Sequence, residues 1–232
     1  MKIMDDVFFR PWVGINYRAN GYNFNGKHIH ILVLGESTYC GGCYDDKGNE
    51  CWFDKENMEG KAEWEECRNK TLIGVKEFLA NPKGGLYRRF TDIFIGHKCT
   101  PEETQMFWDS FVFYEYVQVA LERAGMSPKQ HQWETGEKPF FEVIAEYNPD
   151  VIIAWGKRLW NNMQPNTPFI DNSFLNRWDG GLRYYNNGKR DIPAYFCYHP
   201  SRPKYFSEGE TDYFKRLLEK VSGFRGNTDY TD

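Results

Sequence analysis

Two short runs hold the residue types that a bond-breaking site needs. Gly35-Glu36-Ser37-Thr38-Tyr39 places an acid and a hydroxyl directly after the aliphatic run Ile29–Leu34, and His199-Pro200-Ser201 places an imidazole beside a hydroxyl. A carboxylate can orient a water or steady a developing cation, and a histidine can donate to a departing anion. Glu36 and His199 are therefore the candidate catalytic groups, with Ser37 beside them. The plainer alternative is that Glu36 caps the turn after it and His199 is a hydrogen-bonded loop residue. No Gly-x-Ser-x-Gly elbow occurs, which counts against an α/β-hydrolase nucleophile.

Elements must bring these runs together. Ile29–Leu34 reads as a buried strand that stops at Gly35, and Val151–Trp155 as another, with Gly156 turning into a helix at Lys157. Leu72–Leu79 reads as a helix ending near Asn81-Pro82, and Phe90–Ile95 as a strand. Thr100-Pro101-Glu102-Glu103 has a Thr N-cap, Pro at N1 and a capping-box Glu, so a helix starts there. Its apolar spacing through Phe107, Phe111, Tyr114 and Val117 carries that helix towards Gly125. Phe140–Tyr147 reads as a helix, residues 183–197 as a hairpin about Asn187-Gly188, and Thr211–Val221 as a terminal helix stopped by Gly223. Strands alternating with helices predict an α/β fold, a three-layer sandwich with a mostly parallel central sheet flanked by helices. Such sheets place ligands at the carboxyl ends of their strands.

At 232 residues the chain suits one domain, residues 1–232, with an acidic surface excursion at about 40–66. Net charge is -4, but Asp45–Glu66 carries nine acids and three lysines, which leaves the rest of the chain at +2. This excludes a strongly basic nucleic-acid binder while permitting a modest cationic face. The 18% aromatic content is unusually high, and most of it must be core. No apolar run reaches the ~20 residues of a membrane span. Met1–Arg10 lacks a secretory core, so a cytoplasmic protein, likewise a monomer, is expected.

Taken in order, Gly35-Glu36-Ser37-x-Tyr39, Pro149–Lys157 (reading Pro-Asp-Val-Ile-Ile-Ala-Trp-Gly-Lys) and His199-Pro200-Ser201 resemble the uracil-DNA glycosylase superfamily. With Pro11-Trp12-Val13-Gly14 upstream, they resemble the branch whose first motif is Gly-Glu-Ser-His-Tyr; Thr38 here replaces the His. The likeness spans roughly Pro11–Ser201. It implies a DNA glycosylase that flips out a base, uracil or a modified cytosine, and hydrolyses its N-glycosidic bond, in DNA repair or anti-phage defence. The alternative is a catalytically inactive glycosylase-like protein that binds nucleic acid. The classical first motif, Gly-Gln-Asp-Pro-Tyr, would align its Asp with Ser37, which moves the acid role to Glu36. The resemblance implies that Gly35, Thr38 and Tyr39 line the base pocket, Tyr39 screening the base. Pro200, Ser201 and Arg202 would then press on the DNA backbone.

Glu115, in Phe113–Gln118, stands where related sequences tend to have an Asn that reads the edge of uracil. An ionised Glu offers only acceptors and would suit the exocyclic amine of cytosine, unless Glu115 is simply an exposed helix residue. Trp52 and Phe53 lie at the distance of the family's base-stacking aromatic. Cys40-x-x-Cys43 with Cys51 and Cys67 permits a structural zinc, with reduced thiols and no cofactor as the simpler expectation. The iron-sulfur pattern of some relatives does not carry over, because no cysteine precedes Cys40.

Overall fold

The computed structural model describes residues 4–39, 65–121, 125–168, 170–171, 182–204 and 206–224. The chain enters through the short strand β1 (Trp12–Val13) and the β2–β3 ribbon (Tyr22–Phe24, Lys27–Ile29), then the long strand β4 (Ile31–Tyr39). Four helices follow, α1 (Glu65–Arg68), α2 (Lys70–Ala80), α3 (Gly85–Ile95) and α4 (Pro101–Asp109). Strand β5 (Phe111–Leu121) leads to α5 (Gln130–Tyr147), β6 (Val151–Trp155) and α6 (Lys157–Asn162). Strands β7 (Ile170–Asp171), β8 (Leu182–Asn186) and β9 (Asp191–Cys197) precede the last helix, α7 (Gly209–Phe224). Among the described residues, seven strands form a mixed sheet in the order β1-β5-β4-β6-β9-β8-β7. Its centre, β5-β4-β6-β9, is parallel, and the edge strands are antiparallel.

Helices cover both faces, as the alternation of elements predicts. On one side Val33, Phe113, Ile153 and Trp155 pack against Val75, Phe90, Trp108 and Phe214 of α2, α3, α4 and α7. On the other, Leu32, Tyr114, Ile152 and Ala154 pack against Phe140, Val143 and Leu159 of α5 and α6. The parallel strands are thus buried on both faces and show little alternation. No helix among the described residues is long and apolar enough to cross a membrane.

Several elements differ from their sequence reading. Phe90–Ile95 belongs to helix α3, not a strand. Phe90 and Phe94 lie one turn apart on the core, Arg88 pairs with Asp92, and Gly96 ends the helix in the left-handed region at φ 95°. The helix from Thr100 has the expected capping box but stops at Ser110, and Phe111–Leu121 is strand β5. A run apolar on every side satisfies the helical spacing as well as the strand one, and here its aromatic and β-branched residues settle in the sheet. Strand β4 does not stop at Gly35 but runs to Tyr39, with Gly35 opposite Glu115 and Ser37 opposite Val117.

Helix α5 is ten residues longer at its start than the predicted Phe140–Tyr147, running through Gly136 and Pro139. Gly136 permits that length: a Cβ there would lie 2.3 Å from the Tyr116 carbonyl oxygen of β5. Gly136→Ala should therefore destabilise the fold by about 1–3 kcal/mol through overpacking, seen as a lower urea midpoint. An unchanged midpoint would contradict this close approach.

Candidate functional site

The chain leaving β4 returns as β5 on one side, whereas the chain leaving β6 returns as β9 on the other. In such sheets a reversal of this kind defines the crevice where ligands bind, here at the carboxyl ends of β4 and β6. The first motif lies on β4 at this end, and the His-Pro-Ser motif follows β9 directly.

Glu36 lies on the α5/α6 side of β4 and is buried. Arg158, in the first turn of α6, grips it with both arms: Nε donates to Oε2 at 2.6 Å, and a terminal nitrogen donates to Oε1. The same guanidinium donates to the Met126 carbonyl at 3.2 Å and to Ser127 Oγ, tying the β5–α5 loop to the crevice. Such two-pronged, charge-assisted pairs fix a carboxylate in orientation. Arg158 is 40% exposed, so water reaches the pair from one side. The sequence reading stopped at Lys157 and missed this residue. Its signal was position alone, two places past the Gly156 turn (φ 96°) that ends β6.

A second row lies on the opposite face. Glu115 on β5 faces Gly35 on β4, so closely that a Cβ on Gly35 would meet Oε2 at 2.2 Å. The Leu34–Ala154 pairing brings Trp155 of β6 alongside from the other flank. Glu115 Oε2, Ser37 Oγ and Trp155 Nε1 are all shut off from solvent without a hydrogen-bond partner among the described residues. Buried polar groups are rarely left so, and a cluster of them at strand ends marks a place for a polar ligand. Burial, and then the charge of Glu36, push the Glu115 carboxyl up to about 8. It is therefore neutral at pH 7. Its backbone carbonyl accepts from Gln118 Nε2 at 2.7 Å, and Gln118 Oε1 accepts from Phe8 and Phe9 N–H, fastening the N-terminal segment to this strand.

The environment of Glu115 makes a stability prediction. Within electrostatic reach of it are Glu36 across the sheet, Tyr87 from α3 and neighbouring Tyr114. Between the ordinary 4.5 and about 8 the folded chain keeps a proton that the unfolded chain releases. Stability from this group therefore falls as pH rises through that window. Glu115→Gln has no such proton, so its stability advantage over the wild type should grow between pH 5 and pH 9. Urea midpoints at the two pH values test this, and a constant difference would refute it.

His199 sits edge-on to Trp155, with ring centroids 6.1 Å apart. Its Nδ1 accepts from the Ser201 N–H at 3.1 Å and lies 2.7 Å from Ser201 Oγ. The neutral ring therefore carries its proton on Nε2, as a donor. Burial, with the charges of Arg158 and Arg202, pushes His199 down to about 4, so it is neutral at pH 7. Exposed Arg202 closes the turn by donating its N–H to the His199 carbonyl at 2.8 Å. Arg89 of α3, also missed in the sequence, donates to the Pro200 carbonyl and holds the turn to that helix.

The structure thus gathers Gly35, Glu36, Ser37, Glu115, His199, Pro200 and Ser201 at one end of the sheet. Electrostatic influence links them in a chain: Glu36 acts on Glu115, and Arg158, bound to Glu36, acts on His199. Half-buried Thr38 and Tyr39 end β4 past an irregularity in its register, with Tyr39 near Arg158. Glu115 is a strand residue, not one on an exposed helix. Trp52, Phe53, Cys40, Cys43 and Cys51 lie outside the described residues; Cys67 packs beside Phe8, Phe9 and Ala120. Among the described residues one mixed group of potential metal ligands occurs, His97, Cys99 and Glu103, away from this end. The chain matches no protein-family model and no curated protein.

Proposed function

We propose that the chain is a DNA glycosylase that hydrolyses one N-glycosidic bond in the crevice at the ends of β4 and β6. The observation that carries this reading is the row of buried, unpartnered polar atoms, Glu115 Oε2, Ser37 Oγ and Trp155 Nε1, beside the neutral donor His199. A flipped base supplies in-plane donors and acceptors to such a row. As the bond breaks, the base leaves as an anion and the sugar gains positive charge. The Nε2–H of His199 stabilises a carbonyl oxygen of the leaving base at no cost of proton transfer. The Glu36 carboxylate, held in orientation by Arg158, faces the sugar cation or orients the attacking water. Neutral Glu115 offers one donor and one acceptor, the pattern of an amide. At pH 7 that suits a uracil-type edge, and the acceptor-only pairing with cytosine applies above about pH 8.

One observation favours a second reading, a glycosylase-like protein that binds nucleic acid without cleaving it. Both Glu36 oxygens are occupied by Arg158, and Ser37 is not an acid. Release of free base from single- and double-stranded oligonucleotides containing uracil, cytosine or modified cytosines separates the two. Release of any base supports the enzyme. Retained DNA binding without release supports the binder, and neither binding nor release would overturn both.

A further inference from the structure

A second constellation lies at the junction of α3 and α4. A His97 ring nitrogen, Cys99 Sγ and a Glu103 carboxylate oxygen all lie within 4.8 Å of one another. Around a zinc ion, bonds of ~2.0–2.3 Å place tetrahedral ligand atoms ~3.3–3.8 Å apart, so closing this triangle takes shifts of roughly 1 Å. His97 Nε2 and Glu103 Oε1 are already 3.1 Å apart.

The backbone around the three ligands is fixed by other bonds. Gly96 ends α3 in the left-handed region and turns the chain outward at His97. The Cys99 N–H donates to Asp92 Oδ1 at 2.9 Å, and Arg88 donates to the Cys99 carbonyl. Glu103 uses one oxygen, Oε2, to accept from the Thr100 N–H at 2.7 Å in the capping box, which aims Oε1 at His97. Support of this kind orients the ligands of a metal site. Charge favours a cation as well: Asp92 and Glu103 flank the thiol, and Arg88 is engaged with Asp92. Glu103 also lines a groove of about 530 Å³ with Tyr22, Asn16, Asn20, Met106 and Ser110. Three protein ligands beside an open groove leave a fourth position for water or a small polar ligand.

We propose that His97, Cys99 and Glu103 form a site for a divalent transition metal, zinc by the borderline softness of its nitrogen, sulfur and oxygen ligands. The site is independent of the crevice and of the chemistry proposed there. Cobalt(II) titration of the full-length protein tests it, because a cysteine ligand gives a near-ultraviolet thiolate-to-cobalt band and a tetrahedral site gives strong visible bands. Wild type and a variant with Cys40, Cys43, Cys51 and Cys67 all changed to Ser should both show these bands. Cys99→Ser should lose the near-ultraviolet band, and His97→Ala should weaken binding by about tenfold or more, with far-ultraviolet circular dichroism unchanged. Bands that vanish in the four-Ser variant but persist in Cys99→Ser would assign the metal elsewhere and overturn the proposal. Absence of thiolate bands from the wild type would overturn it equally. If Cys99→Ser fails to fold, unaltered cobalt affinity in His97→Ala would do the same.

Discussion

Glu36→Gln should lower single-turnover base release by about 10²–10⁴-fold, the usual scale for losing a positioned acid–base group. Gln preserves the shape and one acceptor but removes the charge that would face the sugar cation. The fold should tolerate it, because Arg158 is 40% exposed and water can take over part of its solvation. A second readout separates the catalytic role from a structural one. Glu36 helps push the Glu115 carboxyl upward, so removing its charge should bring that carboxyl down towards the ordinary range. Carbon-13 NMR of labelled glutamate would follow this directly. If release is unchanged while Glu115 shifts, Glu36 serves only to anchor Arg158, and the carboxyl that matters is Glu115.

The motif after β9 was legible because that strand end carries punctuation, a buried run and then His199-Pro200, whereas Gly35 marks not the end of β4 but the close approach of Glu115. The same punctuation placed β6 and the Gly156 turn correctly. What sequence could not show is which side of each strand faces which neighbour. Glu36 and Glu115 are both acids near the same crevice, yet β4 directs one to Arg158 and β5 directs the other against Gly35. That difference gives Glu36 a guanidinium partner and leaves the buried Glu115 carboxyl neutral at pH 7. The helix-like spacing through Phe111, Tyr114 and Val117 misled for a related reason, since a strand buried on both faces has no polar side to reveal its period. Arg158 and Arg89 escaped notice because a single arginine on a helix carries no pattern; its partner is distant in the chain. Glu36 lies 122 positions before Arg158, and Pro200 lies 111 after Arg89.

His199→Ala should reduce release by about 10²–10³-fold, the loss typical of one donor to a developing oxyanion. The pH dependence makes this sharper than a simple deletion. His199 loses its proton near 4 rather than 6.5, so activity should hold steady from neutral pH down to about pH 5 and fall only as the ring protonates near 4. Its stability effect has the opposite sense to that of Glu115. Between 6.5 and 4 the unfolded chain takes up a proton that the folded chain refuses, so the stability attached to His199 is present above 6.5 and is lost as pH falls through this window. On the alkaline side, ionisation of Glu115 near 8 replaces a donor with a second acceptor and adds a charge beside Glu36, so release of a uracil-type base should decline there. Glu115→Gln should flatten that alkaline limb while leaving the acid limb in place. His199→Ala should remove the acid limb and leave the alkaline one. An acid limb near 6.5 in the wild type would mean that His199 titrates as a solvated imidazole, not as the buried neutral donor, and that assignment would fail.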